Sequence, residues 1–278
     1  MQQVVVVTDS NVCLPSTLLD TLSIGVLPIT VHLPGSDHPD GGEHLSGLVY
    51  QALDDDQPVK SSPPTVSEYL EAIEGAQASS VVVVTPATEF TAMHVHACLA
   101  CDLARRRAVA VDSRTATAGQ GLVVLAGARA AAAGAPLEAV ARIVEDAAGR
   151  VDLVASVAEL QTLWHRGWVP SQVMGPPLGA AAAGDGPRTL FRFKSGSVEP
   201  LDSVESAAAA LEAIHERWSQ GGGPGSESSV VFHADDPELA ARLEMRLGAV
   251  TFVSGFSAAM GIHTGRGVVG AAWLAAPR

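Results

Sequence analysis

The sequence predicts an α/β fold. A mainly parallel sheet with helices on both faces is expected in the first half, and an α+β arrangement in the second. Three observations predict it. Val4 to Val7, Ser80 to Thr85 and Ala108 to Val111 are continuous runs of β-branched and small apolar residues, as strands buried on both faces require. Helical stretches alternate with these runs, which is the pattern of βαβ units. After about residue 150 the alternation gives way to strands with varied connections.

The elements follow in order. Val4 to Val7 ends in the polar Thr8-Asp9-Ser10. Pro15 to Thr21 reads as a helix with Pro in its first turn. A second strand is predicted over Gly25 to His32, then a loop over Pro34 to Gly42 and a helix over Leu45 to Leu53. The next helix spans Val66 to Glu74 and leads into the strand Ser80 to Thr85. A helix over Ala92 to Arg105 precedes the strand Ala108 to Val111. Two helices close this half, an Ala-rich one over Gly119 to Ala133 and another over Leu137 to Ala148. In the second half, strands are predicted at Leu153 to Val157, Thr189 to Phe193, Val230 to His233 and Thr251 to Val253. Phe191 to Val198 reads as a hairpin with Gly196 in its turn, and Gly221 to Gly225 as a flexible loop. Thr8-Asp9-Ser10, Thr85 and Asp112-Ser113 put polar groups at carboxyl ends of strands, where open α/β sheets bind ligands.

Composition narrows the function. The 278 residues are 47% hydrophobic, enough for a sizeable core, and carry 17 basic against 30 acidic side chains, a net charge of −13. That excess predicts no nucleic-acid partner and no anionic membrane surface. Arg105-Arg106-Arg107 is the sole basic cluster and reads as a solvated helix end. No apolar run reaches the ~18 residues of a spanning helix. The N-terminus lacks the basic segment and cleavage site of a signal peptide. Three cysteines suit reduced thiols rather than a disulfide framework. The expected location is cytoplasmic.

Several chemistry-bearing strings are set aside. Gly265 to Gly270 matches a dinucleotide fingerprint by letters, but the chain ends before a βαβ unit and its acid can follow. His94, Cys98 and Cys101 share a helix face, yet they span two turns and do not converge on one ion. Asp54-Asp55-Asp56 reads as a solvated turn. No Gly-x-Ser-x-Gly elbow supports a hydrolase.

A series of short motifs remains. It comprises Val7-Thr8-Asp9-Ser10 with Leu14-Pro15, Val26-Leu27-Pro28-Ile29, Asp40-Gly41, and Lys60-Ser61-Ser62-Pro63-Pro64-Thr65. Phe90-Thr91-Ala92-Met93 follows, then Val111-Asp112-Ser113-Arg114 with Gly119-Gln120-Gly121. Phe232-His233-Ala234-Asp235 and Gly261-Ile262-His263-Thr264-Gly265-Arg266-Gly267 complete it. As an ordered set over nearly the whole chain, these resemble the DegV family of bacterial fatty-acid-binding proteins. The resemblance implies a DegV-like two-domain fold. Residues 1–150 would form an α/β domain with carboxylate-binding loops, and 151–278 an α+β domain covering the acyl chain. It implies a non-enzymatic protein that binds a long-chain fatty acid in a buried tunnel, for lipid transport or fatty-acid metabolism. No metal or cofactor beyond that lipid is implied. The family's carboxylate-binding positions fall on Ser61, Ser62 and Thr91, with His263 approaching from the second domain.

The chemistry suits that transfer. A buried carboxylate needs directed donors in place of water, and hydroxyls supply them. Burying a 16-carbon tail at ~0.8 kcal/mol per CH₂ contributes roughly 12 kcal/mol before losses. Some members of the family present the lipid to a fatty-acid kinase, which the resemblance names as a candidate partner. Two family arginines are missing here, replaced at Trp168 within His165-Arg166-Gly167-Trp168 and at Glu205 within Ser203-Val204-Glu205. Their loss leaves kinase coupling open, since Arg is the bidentate donor suited to an acyl phosphate. Two other readings stand beside lipid binding: a Ser/Thr–His263 hydrolase of an acyl ester, and a metal-dependent protein using the His94/Cys98/Cys101 face.

Overall fold

A computed structural model describes residues 3–41, 44–158, 186–248 and 250–276. The chain opens with β1 (Val4–Asp9), a tight turn at Ser10–Val12, and α1 (Ser16–Thr21). β2 (Gly25–Leu27) pairs parallel with β1. β3 (Thr30–Leu33), β4 (Ser36–Pro39), α2 (Leu45–Asp54), β5 (Lys60–Ser62) and α3 (Val66–Gly75) follow. β6 (Ser80–Thr85), α4 (Met93–Leu103), β7 (Arg107–Asp112), α5 (Thr117–Ala132) and α6 (Leu137–Arg150) complete the first half.

The predicted parallel sheet is present, in the order β2-β1-β6-β7. Val4, Val6, Val82 and Val84 face α5 and α6 on one side. Val7, Val81 and Val83 face α3 and α4 on the other. Helices on both faces explain why these strands are Val at nearly every position.

Two neighbouring expectations need correction. The strand predicted over Gly25 to His32 is two strands in two sheets. Pro28 has no N–H to give a ladder, and the chain leaves the parallel sheet there. β3 then pairs antiparallel with β4 and β5 in a separate sheet of order β4-β3-β5. The loop predicted over Pro34 to Gly42 therefore contains β4, joined to β3 through Pro34 and Gly35, the latter at φ +83°. β5 went unpredicted because Lys-Ser-Ser is too short and too polar to show alternation.

The second half begins without a linker. α6 ends at Arg150 and β8 (Val151–Val157) starts at the next residue. β9 (Arg188–Lys194) and β10 (Ser197–Val204) form the predicted hairpin, with Ser195 and Gly196 both at positive φ. α7 (Ala207–Gln220), β11 (Ser228–His233), α8 (Pro237–Leu247), β12 (Phe252–Gly255), α9 (Ala258–Thr264) and β13 (Val269–Leu274) follow. The sheet runs β10-β9-β8-β13-β11-β12, and only its β11–β12 pair is parallel. Gly221 to Gly225 is not the flexible loop predicted. Gly221 and Gly223 leave room for the indoles of Trp273 and Trp218, and Trp273 Nε1 donates to Gly221 O at 2.9 Å.

α5 lies between the two large sheets, touching β1 and β6 on one side and β8, β11 and β13 on the other. A helix covered all round must be apolar all round, which accounts for its Ala- and Gly-rich sequence. The segment at His165 to Trp168 and residues 179–185 lie outside the described residues. No described helix is long and apolar enough to cross a membrane.

Candidate ligand-binding site

A cavity of about 190 Å³ opens beyond the carboxyl ends of β1 and β6. Asn11 comes from the turn after β1, Pro86, Phe90 and Thr91 from the connection after β6, and Ser61 from β5. Ala259 and His263 reach it from α9, where they stand one turn apart on one face. Among its described lining residues there is no lysine or arginine.

Three of the four predicted binding residues meet here. Ser61 Oγ lies 3.0 Å from His263 Nε2, although 202 positions separate them. Thr91 lines the same cavity, and its Oγ1 accepts a 3.4 Å hydrogen bond from Met93 N at the start of α4. Ser62 does not line it. Successive residues of a strand point to opposite faces, so Ser61 shares a face with the buried Val31 while Ser62 shares the other with His32 and Asp37. On that outer face Ser62 Oγ is 2.7 Å from His32 Nε2, and His32 Nδ1 is 2.7 Å from Asp37 Oδ1. The chain of bonds ties β5, β3 and β4 together.

Below the cavity lies a polar layer. Gln120 Nε2 donates to Thr8 Oγ1 at 2.9 Å and to Asp9 Oδ2 at 2.7 Å, and Asn11 N donates to Asp9 Oδ1 at 3.0 Å. Burial pushes the Asp9 carboxyl up to about 6 despite those bonds. Ser10 Oγ donates to Asp40 Oδ2 at 2.7 Å, and Ala259 N donates to Asp40 Oδ1 at 3.2 Å. Asp9, Asp40 and Gln120 went unread as site residues. Their signal was present in the Thr-Asp-Ser, Asp-Gly and Gly-Gln-Gly motifs, but not their mutual contacts.

A second cavity of about 30 Å³ shares Ala116 with the first. Its lining is almost wholly apolar and includes Phe191, Phe193, Phe232, Phe256 and Met260. Phe90 of the first cavity contacts Phe193 of the second with ring centroids 4.7 Å apart. α9 borders both: Ala259 and His263 face the polar cavity, Met260 and Thr264 the apolar one.

The metal reading gains no geometry. His94 Nδ1 is 3.1 Å from Thr85 Oγ1 and its Nε2 is 3.5 Å from Cys98 Sγ. Burial raises both the Cys98 and Cys101 thiols, the latter to about 12. Among the described residues no three His, Cys, Asp or Glu side chains are placed to hold an ion.

Comparison with known proteins places this arrangement. A DegV domain-containing protein of Mycobacterium tuberculosis is 29% identical over 276 residues, covering 96% of this chain and 95% of that protein. One from Streptomyces coelicolor is 27% identical over 282 residues, covering 97% of each. Among solved structures, a DegV family protein of Thermus thermophilus described as fatty-acid binding superposes at TM-score 0.87. It is 23% identical and covers 99% of this chain and 100% of that one. DegV of Bacillus subtilis, described as a fatty acid binding protein, gives 0.84 at 21% identity over 99% and 100%. A stearic acid-binding protein of Eubacterium ventriosum gives 0.81 at 18% identity over 97% of each. The model of the DegV family, whose members it describes as uncharacterised, matches residues 3–276, so the chain belongs to the DegV family.

Proposed function

We propose that this protein binds a long-chain fatty acid without covalent chemistry and serves lipid transport or fatty-acid metabolism. One observation carries the reading. Ser61, Thr91 and His263, from three distant parts of the chain, converge on one cavity that shares Ala116 with an apolar second cavity. Related structures described as fatty-acid binding support it. The Ser61 and Thr91 hydroxyls and the His263 imidazole donate to the carboxylate, and the aromatic cavity takes the tail. Ser62 acts at one remove, holding β5 through His32. On this reading 1–150 supplies the polar loops and 151–278 the apolar wall.

With no lysine or arginine among the described residues that line the cavity, the tail supplies most of the affinity and the hydroxyls supply the preference for an acid. A hydrogen bond to a charged group contributes about 1.5–3 kcal/mol, or roughly ten- to a hundredfold in Kd. Ser61→Ala and Thr91→Ala should each weaken palmitate binding by that order while hexadecanol binding holds. Ser62→Ala should leave the preference for palmitate intact. Native mass spectrometry of the purified protein, with titration of both ligands, tests this. Protein that carries no lipid and binds neither ligand would refute it.

The Ser61–His263 contact also gives the hydrolase reading a nucleophile next to a base. Turnover of a p-nitrophenyl acyl ester that vanishes in His263→Ala would favour that reading over simple binding. Kinase coupling is a separate question. Glu205, directly after β10, stands where the resemblance to the family implies a cation. A fatty-acid kinase should therefore phosphorylate palmitate more slowly on this protein than on a relative with both arginines. Equal rates would show that those arginines do not matter.

A further inference from the structure

A carboxylate in the first cavity asks for more donors than the three predicted residues supply. It offers about four lone-pair sites, and each is costly to leave unpaired where water is excluded. Thr91 has one hydroxyl hydrogen to give, while its Oγ1 accepts from Met93 N. Ser61 and His263 already share one hydrogen across their 3.0 Å contact. Among the described residues that line the cavity there is one further polar side chain, Asn11. The remaining described lining side chains are those of Ile, Pro, Phe, Met and Ala.

Asn11 is held from two sides. Its backbone lies in the tight turn after β1. Asp9 Oδ1 caps the start of that turn by accepting from Asn11 N at 3.0 Å, and Cys13 ends it in the left-handed region at φ +47°. Its side chain is held by the cap of α9. Ser257 Oγ accepts from Met260 N at 3.2 Å, so the hydroxyl hydrogen is what Ser257 has left to give. That hydrogen goes to Asn11 Oδ1 at 3.0 Å. The network thereby assigns the two ends of the carboxamide. Reversed, the amide would deprive the Ser257 hydrogen of this acceptor and present an oxygen to the cavity. With Oδ1 occupied, the planar group turns its Nδ2 hydrogens away from Ser257, and among the described residues they meet no acceptor. A donor fixed before its ligand arrives loses little freedom on binding.

We propose that Asn11 is a further ligand-contacting residue of the head-group site: its Nδ2 amide, oriented by Ser257, donates to the fatty-acid carboxylate and strengthens the preference for an acid over an alcohol. This rests on the fatty-acid reading above and deepens it. An amide suits the place. It brings two N–H donors to the carboxylate without the desolvation cost of a buried cation. The contact also joins the two halves of the chain at the ligand, since Ser257 lies 246 positions from the residue it orients.

The test uses the full chain with palmitate and hexadecanol. In NMR spectra of the wild-type protein, saturating palmitate should move the Asn11 side-chain amide protons downfield, and hexadecanol should move them less. Asn11→Asp keeps an acceptor for Ser257 but loses the Nδ2 donor and sets a negative charge against the ligand. It should weaken palmitate binding by about ten- to a hundredfold. Hexadecanol can donate its hydroxyl to the new carboxylate, so its affinity should change by less than about threefold. An Asn11 amide signal unmoved by palmitate would overturn the proposal. So would Asn11→Asp that binds palmitate as the wild type does, because Asn11 would then serve only to hold Ser257. Should Asn11→Asp fail to fold beside Asp9 and Asp40, the wild-type amide signal decides alone. Wild-type protein that binds hexadecanol as tightly as palmitate would refute the head-group reading itself. A preference for palmitate with an unmoved amide would remove Asn11 alone.

Discussion

Asp9 is a carboxylate with 0% exposure and Asp40, another acid, close by. Its folded pKa of about 6 exceeds its ordinary 3.8, so the native state binds the proton more tightly than the unfolded chain. The stability this contributes is full below pH ~4 and is lost as pH rises to ~6. Asp9→Asn removes the charge and should stabilise the protein at pH 7.5 by about 1–3 kcal/mol. Gln120 Oε1, which has no hydrogen-bond partner among the described residues, can accept from the new amide once the Gln120 side chain turns. Urea unfolding of both proteins at pH 4, 5, 6 and 7.5 checks this, and a pH-independent difference would show that Asp9 does not titrate there. Glycines give a second contrast at this scale. A Cβ on Gly121 would lie 2.5 Å from the Val12 carbonyl, a backbone atom that cannot rotate away, whereas one on Gly149 meets nothing within 4 Å. Gly121→Ala should cost about 2–3 kcal/mol through overpacking, and Gly149→Ala should add about 0.5–1 kcal/mol through reduced chain entropy. Thermal melts of the two variants must move in opposite directions. Sequence reading found Ser61, Thr91 and His263 through the motif order. It placed Ser62 with them because nothing in a three-residue polar strand tells which face each hydroxyl takes, and one residue of register decides it.

Elements were legible where local chemistry punctuates them. α3 begins at Thr65, whose Oγ1 accepts from Glu68 N while the Glu68 carboxylate accepts from Thr65 N at 2.7 Å, a complete capping box. Those bonds hold the Glu68 carboxyl below its usual range. Thr65→Ala should lower stability by about 1 kcal/mol, and Thr65→Ser should recover most of it; chemical denaturation of the pair measures the cap. β6 and α5 were equally plain, the first from its run of four valines, the second from its long Ala- and Gly-rich run. β4 and β5 were not, and β3 was read only as the end of a longer strand. Each has four residues or fewer, and what makes them strands is their pairing with one another. α9 was not predicted either: its seven residues carry no periodic signal, and Ser257 and Asp40 supply the first turn with partners from outside it.

Across the whole molecule, α5 joins two sheets into one core. Val4 and Val82 of the parallel sheet belong to the same buried cluster as Phe191 and Phe232 of the second sheet. The apolar cavity is small for its proposed role. About 30 Å³ is one water's share of liquid volume, far less than a long acyl chain needs. On the proposed reading, binding turns side chains such as Phe193 of β9, Phe256 after β12 and Met260 of α9 away from the path. Two consequences follow from that geometry. Narrowing the path by Met260→Trp should shift the preferred ligand toward shorter acids, measured by competition across a series of ten to eighteen carbons; an unchanged profile would place the tail elsewhere. Saturating palmitate should also raise the unfolding midpoint, by about 2.7 kcal/mol of added stability at a hundredfold excess over Kd. Calorimetry should show the two sheets melting together, because they share a core.

By itself the sequence determined the class of fold, the parallel sheet, the long buried helix and three residues that line one cavity. Each of these rests on a signal that is local or repeated: runs of valine, helical spacing, and short motifs in a set order. Only the tertiary structure decided which face of β5 each serine takes, that α9 forms at all, and that Asp40 holds it. These depend on contacts across the chain, such as the 202 positions between Ser61 and His263 and the 219 between Asp40 and Ala259. The free energy that selects them comes from burial and from hydrogen bonds that exist only once distant segments have met.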